Sequence, residues 1–319
     1  MANMLFTRIG VVSLLVSAAP IVADLQQPPA AANPPAYRLT EDQIRSVVEV
    51  RVGRKLTRAW PNAAKVAVAL AFEMDAEASG VTAGEMLPVP LSAREFGIIK
   101  GLPRVLDVLD RHGVPATFYF AAVNASLHPD AVEQVKKRNR HEIALNGWMH
   151  ENLADLNDQA KEQQLLDDSI ATLTKISGKR PVGWRAPSWT FSRYTLGQIQ
   201  KAGFLYDSSL VGRDEPYEIN ANGQGTGVVE LPVEPILNDE PYFTTARSFP
   251  APEPIFKVYQ DEFDVAYREG TMVMLTLHPY VAGHRSRITH LDNLLTYMKS
   301  KPGVWFATNE QIATHVKPK

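Results

Sequence analysis

Short apolar runs that each end in a polar cluster constrain this chain more than any other feature. The clusters are Phe72-Glu73-Met74-Asp75-Ala76-Glu77, Asn146-Gly147-Trp148-Met149-His150, Arg185-Ala186-Pro187-Ser188-Trp189, Asp207-Ser208-Ser209 and His278-Pro279. The runs before them have strand character. Lys65 to Phe72 and Thr271 to Leu277 are the most apolar, with shorter runs at Val114 to Phe120, Glu142 to Leu145, Pro181 to Trp184 and Phe204 to Tyr206. Between them lie helical patterns at Ile98 to His112, Asp130 to Arg138, Leu153 to Ser177 and Ser192 to Ala202. Phe263 to Arg268 and Ile288 to Lys299 add two more helices before a last strand at Val304 to Ala307. Strands alternating with helices predict a parallel α/β sheet or barrel. About seven strands suit an incomplete barrel better than a full eight. In such folds residues at successive strand ends converge on one mouth, where the chemistry sits.

The remainder of the chain divides into segments. A positive Arg8, an apolar stretch from Ile9 to Val22 and small residues near Ala23 read as an export signal over residues 1–23. Residues 24–38 are rich in Pro and Ala and read as a tether. The expected catalytic domain is 39–319, opening on a helix at Leu39 to Val52. This organisation predicts a periplasmic or secreted protein with no membrane span once the signal is removed. Val211 to Asp261 has no clear period, and only Gly227 to Pro232 looks like a strand. A stretch of that length fits a substrate-covering loop.

Composition closes off several chemistries. A net charge of −2 argues against a nucleic-acid partner. With no cysteine, any metal must be held by His, Asp, Glu or Asn. No GxGxxG, Walker A or GxSxG pattern is present.

The clusters suit hydrolysis of an amide, which needs an activated water and an acid for the leaving nitrogen. Glu73 and Asp75 are two apart and would point the same way on a strand, though ordinary loop acids would look the same. Asn146 and His150 are four apart and could share one face of a helical turn as a metal pair. A lone histidine in such a segment is more often a structural one. Arg185 can fork onto a carboxylate, or simply brace its loop. His278 follows the most apolar strand and suits a general acid, with Asp207 to orient its imidazole. Trp148, Trp184, Trp189 and Tyr242 could stack on sugar rings, and Asn238 and Asp239 could line a pocket.

Taken together the motifs resemble the polysaccharide deacetylase superfamily (NodB homology) over roughly Trp60 to His315. The likeness rests on Phe72 to Glu77, Arg94-Glu95-Phe96-Gly97, the run Asp110 to Phe118 and Arg185 to Trp189. It continues at Leu277-His278-Pro279, Gly283-His284-Arg285-Ser286-Arg287 and Gly303 to Ala307. The branch it is most similar to holds peptidoglycan-type deacetylases, cyclic imide hydrolases and metal-independent allantoinases. The resemblance implies a distorted (β/α)7-type barrel and an exported hydrolase of linear or cyclic amide bonds. It puts Asp75 and His150 at metal-ligand positions, Glu73 at the base, Arg185 on that base, His278 at the acid and Asp207 beside it. Asn146 stands where the family has its first metal-binding histidine. One divalent metal, zinc by resemblance, is therefore expected to bind weakly or not at all. Trp148, Trp189, Asn238 and Tyr242 are the expected substrate contacts. The expected partner is a glycan or small-molecule amide, and members of this branch often form homo-oligomers. Two other readings remain at this stage: a glycan-binding relative that has lost catalysis, and an esterase using the same machinery.

Overall fold

The computed structural model describes residues 40–42, 50–244 and 250–318. The expected signal, the tether and most of the expected helix at Leu39 to Val52 lie outside them. The chain divides into two units, Met1–Val47 and Val48–Lys319, and the second carries the architecture below.

Ten strands form one curled sheet. They are β1 (Val50–Lys55), β2 (Val66–Met74), β3 (Thr117–Phe120), β4 (Glu142–Leu145), β5 (Gly183–Trp184), β6 (Tyr206–Asp207), β7 (Tyr217–Ala221), β8 (Gln224–Glu230), β9 (Met272–Leu277) and β10 (Val304–Ala307). The order β9-β2-β3-β4-β5-β6-β8 is parallel throughout. β8 turns back into β7 as an antiparallel hairpin, and β1 pairs antiparallel with β7. β10 pairs with the first half of β2 and β3 with the second half, while β9 spans both halves. A strand has two edges, so β10 and β3 share one edge of β2, and this distorts the barrel. Past β8 the chain returns to the free edge of β9, where Asn238 bridges Thr276 and the Asp239 N–H donates to the Thr276 carbonyl at 3.1 Å.

β2 is buried along its whole length, which explains its unbroken apolar character. Alternation still sorts its side chains. Val66, Val68, Leu70, Phe72 and Met74 pack outward beneath the helices, and Ala67, Ala69 and Ala71 pack inward. Those alanines leave room inside the curl for Tyr119, Tyr206 and Arg185, all fully buried. Several interior polar groups bond to one another. Tyr206 donates to Glu142 Oε1 at 2.7 Å, Thr117 donates to Glu142 Oε2 at 2.8 Å, and Asn309 donates to Tyr119 at 2.6 Å. Burial pushes the Glu142 carboxyl up to about 7 against these bonds.

Several boundaries differ from the sequence expectation. Residues 50–52 belong to a strand rather than to a helix. The expected helix Leu153 to Ser177 is two, Leu153–Leu156 and Gln159–Ser177. Asn157 in the left-handed region ends the first, and the Asp158 carboxylate caps the second. Val211 to Asp261 is not a long loop. It contains the β7–β8 hairpin, a short helix Glu240–Phe243 and the start of Pro252–Glu269. The proline-rich opening of that last helix hid it, because proline at the first helical positions reads as a breaker in a periodicity scan. Among the described residues no helix is long and apolar enough to cross a membrane.

Candidate active site

Because the strands are parallel, their C-terminal ends open on one edge of the curl, and the polar clusters follow those ends. Glu73 continues the inward set of β2 and is 5% exposed. Asp75 lies past the strand end, in the N-cap position of the helix Ala76–Thr82, so the two acids do not share a strand. The Asp75 side chain makes no capping bond there. Asn124 fixes this turn, donating to the Met74 carbonyl at 3.2 Å and to the Asp75 carbonyl, and accepting from the Ala78 N–H at 3.2 Å. Asp75 is 2% exposed, and its Oδ1 has no hydrogen-bond partner among the described residues.

The loop after β4 meets both acids. The Asn146 Nδ2 donates to Glu73 Oε2, and His150 Nε2 lies 3.9 Å from Asp75 Oδ2. The segment is not a helical turn. Gly147 and His150 are both left-handed, at φ 69° and 61°. A β-carbon at Gly147 would sit 2.6 Å from Pro187 Cγ on the neighbouring loop, so position 147 requires glycine for both angle and space. Ala76, Ser188 and Trp189 are also left-handed. Backbone strain of this kind gathers where surrounding structure fixes functional loops.

Arg185 follows β5 and is wholly buried. Its Nη1 donates to Glu73 Oε1 at 2.8 Å. Nε and Nη2 donate to the Ser208 carbonyl and hydroxyl, both at 2.8 Å, and the guanidinium lies 4.2 Å from the Tyr119 ring centroid. Both Glu73 oxygens are thus held, one by an arginine and one by an amide. Each keeps a lone pair for another donor.

His278 follows β9 and is 4% exposed. Its backbone N–H donates to both Asp239 oxygens at 3.1 Å, and its Nδ1 is 2.8 Å from Asp239 Oδ1. A carboxylate only accepts, so Nδ1 carries a proton. Nε2 has no partner among the described residues. Burial pulls the imidazole down. The hydrogen bond and charge of Asp239, with Asp75 and Glu240, outweigh this and push it up to about 10. The imidazolium therefore adds stability in full below the ordinary histidine range, and this is lost as pH rises toward 10.

This geometry corrects the expectation for Asp207. Its oxygens accept from the Ser209 hydroxyl at 2.7 Å and the Ser209 N–H at 3.1 Å, away from His278. Glu230, its neighbour across β6 and β8, accepts from the Ser209 and Leu210 N–H groups at 3.0 Å. Burial raises both acids, with Glu230 well above the usual range. The imidazole partner is Asp239, which the sequence marked only as a pocket residue. Its segment has no period, and the only signal was an acid just ahead of a Glu-Pro helix start.

The expected substrate contacts separate. Tyr242 is spent on packing, with its ring against Tyr259 and its hydroxyl on the Ile236 carbonyl. The Asn238 side-chain oxygen accepts from the Glu240 N–H at 3.0 Å, just ahead of the helix Glu240–Phe243. Trp189 packs against the inner core, and Trp148 is half-buried on the loop after β4.

The donors do not make a tight zinc site. Zinc favours nitrogen, thiolate and carboxylate donors. Here a neutral amide replaces one, and its nitrogen must face Glu73, because the reverse orientation would set two acceptors together. That leaves Asn146 Oδ1 and Asp75 Oδ1 buried without partners among the described residues, with His150 Nε2 3.9 Å from the other Asp75 oxygen. Among the described residues no three His, Asp or Glu side chains are grouped to hold a metal.

Comparison with known proteins agrees with this architecture. Residues 97–206 match the Polysaccharide deacetylase family. A Mycobacterium smegmatis structure assigned to the polysaccharide deacetylases is 32% identical, with a TM-score of 0.76, covering 83% of this chain and 95% of that one. An allantoinase structure is 26% identical with a TM-score of 0.72, over 80% of this chain and 91% of that one. The Helicobacter pylori peptidoglycan deacetylase is 26% identical over 283 residues, 79% of this chain and 96% of its own length. Sequence motifs, curled sheet and relatives converge, and the chain belongs to the polysaccharide deacetylase family of hydrolases.

Proposed function

We propose that this chain hydrolyses a carbon–nitrogen amide bond, in a linear N-acyl group or a cyclic amide, at the Glu73–Asp75–His278 site. The observation that carries this reading is the His278–Asp239 pair, a buried imidazole with Nδ1 held and Nε2 free. Asp75 acts on it through space and keeps one oxygen unpartnered. A water held by Glu73 and Asp75 loses a proton to Glu73, and its oxygen bonds to the carbonyl carbon. His278 Nε2 gives its proton to the leaving nitrogen as the carbon–nitrogen bond breaks. The proton on Glu73 then returns the site to its starting state through solvent. Arg185 and Asn146 hold Glu73 in place throughout. No step is assigned to a metal, because the donor set does not suit zinc. The sequence of residues 1–38 supports action outside the cytoplasm. The peptidoglycan deacetylase and allantoinase relatives support linear and cyclic substrates respectively.

The test is turnover by the purified chain on an N-acetylated chitooligosaccharide and a cyclic imide, with and without chelator. Hydrolysis of at least one that survives chelation is expected. Activity lost to chelator and restored by zinc would contradict the reading of the donor set, and no turnover on any amide would leave a binding protein. Asn146→His supplies the missing nitrogen donor, and zinc retained after dialysis is expected to rise toward one ion per chain by elemental analysis. Zinc content unchanged in that variant would show that Asn146 is not what loosens the site.

A further inference from the structure

Two motifs play no part in the proposed chemistry, yet they meet beside it. Phe96, from Arg94-Glu95-Phe96-Gly97, stacks on His284, from Gly283-His284-Arg285-Ser286-Arg287, with ring centroids 4.3 Å apart. The contact is tight because the backbones nearly touch. A β-carbon on Gly283 would lie 2.3 Å from the Gly101 Cα, and one on Gly101 would lie 2.1 Å from the Pro279 carbonyl oxygen. Together they wall a cleft of about 770 Å³ whose other sides include Arg94, Phe243, Tyr280 and Arg287. The cleft adjoins the reacting groups. Tyr280 lies 5.5 Å from the His278 ring, and the Asp75 charge reaches both Arg94 and Tyr280.

The charges around the cleft are unevenly paired. Arg94 is paired with two carboxylates, Glu85 at 3.1 Å and Glu240 at 3.6 Å. Arg287 is not. Its Nη1 donates to the Val281 carbonyl at 3.2 Å and its guanidinium lies 4.2 Å from the Phe243 ring centroid, with no carboxylate partner among the described residues. Asp239, whose charge acts on it, is bonded to His278. Arg104 adds a second guanidinium with no carboxylate partner among the described residues, donating to the Gly283 carbonyl at 2.8 Å and lying 5.7 Å from the Phe96 ring centroid. Burial and these two cations together lower the His284 imidazole, which leaves it uncharged. The cleft therefore offers aromatic walls and one half-buried, fork-shaped cation that no carboxylate among the described residues bonds, a combination suited to a planar anion.

We propose that this cleft is a subsite for a carboxylate group carried by the substrate, with Arg287 as the residue that receives it. This rests on the proposed amide hydrolysis next to it, and narrows the substrate class to amides bearing a carboxylate. The aromatic walls hold the body of the substrate, and the arginine sets which end faces His278.

The test compares two probes of one shape, N-benzoylglycine and its neutral amide N-benzoylglycinamide. Binding is measured by calorimetry to the His278→Gln chain, so that turnover does not interfere. The acid is expected to bind about tenfold more tightly or better, as one charge-assisted fork would give. Adding Arg287→Gln removes the preference and leaves binding of the neutral amide unchanged, and Arg287→Lys restores part of it. Equal binding of both probes to the His278→Gln chain, or a preference that survives Arg287→Gln, overturns the subsite. If Arg287→Gln binds neither probe, Arg287→Lys decides: a kept preference supports the subsite and a lost one overturns it. The two proposals fail separately. Amide hydrolysis by the unaltered chain with no charge preference removes only the subsite, and charge preference without hydrolysis of any amide removes only the catalytic reading.

Discussion

Replacing His278 with glutamine lowers amide hydrolysis by about 10²–10⁴-fold, the usual contribution of a positioned acid. Glutamine is the informative change. Its amide still offers a donor to Asp239, so the buried carboxylate keeps a partner while the proton for the leaving nitrogen is lost. His278→Ala removes both and should also lower stability, since Asp239 is 1% exposed and would keep only the backbone N–H of position 278. Turnover and thermal melting of the two variants separate the effects. Unchanged turnover in His278→Gln would remove the acid from the proposed chemistry.

Arg185→Met is expected to cost the most stability of any single change at the site. Arginine and methionine are both unbranched at the β-carbon, so the methionine fills part of the space. It strands Glu73 Oε1 and the Ser208 carbonyl in the interior, however. Breaking one side of a buried ion pair costs about 3–5 kcal/mol. For a chain of this size that is a fall in Tm on the order of 10 °C. Turnover falls with it, because Glu73 loses one of the two groups that hold it. Adding Glu73→Leu should recover part of the lost Tm, since it removes the stranded charge. A melting temperature unchanged in Arg185→Met would mean that the pair contributes nothing to the fold.

Much of this arrangement was legible in the sequence, for a physical reason. Parallel strands buried on both faces leave continuous apolar runs, and their ends are where polar residues can return. The strand ends at Glu73, Asn146, Arg185 and His278 were therefore visible in the order of apolar runs and polar clusters. The contacts between strand ends were not. Whether His278 pairs with Asp207 or Asp239 depends on where the chain after β8 crosses, and no local pattern encodes that crossing. It is set by Asn238 and Asp239 pairing with the free edge of β9. The same limit applies to Asn146. Its identity announced a departure from the zinc pattern, and only the fold shows that its amide nitrogen is committed to Glu73. Asn124, which fixes the turn under Asp75, carries no sequence signal, because an asparagine on a short helix is ordinarily a surface residue. The hairpin β7–β8 was half visible, since β7 and the start of β8 carry polar and glycine residues that a partly exposed hairpin tolerates.

The proposed hydrolysis requires His278, charged by Asp239, as its acid. The pH dependence of kcat/KM tests it most directly, measured for the unaltered chain and for Asp239→Asn. Activity that needs the imidazolium should persist through neutral pH and fall on the alkaline side toward about 10 in the unaltered chain. Asparagine keeps an acceptor for Nδ1 but removes the charge, so the alkaline limb should move down toward the ordinary histidine range. A limb that stays in place in Asp239→Asn, or activity that rises with pH through 10, would contradict the account.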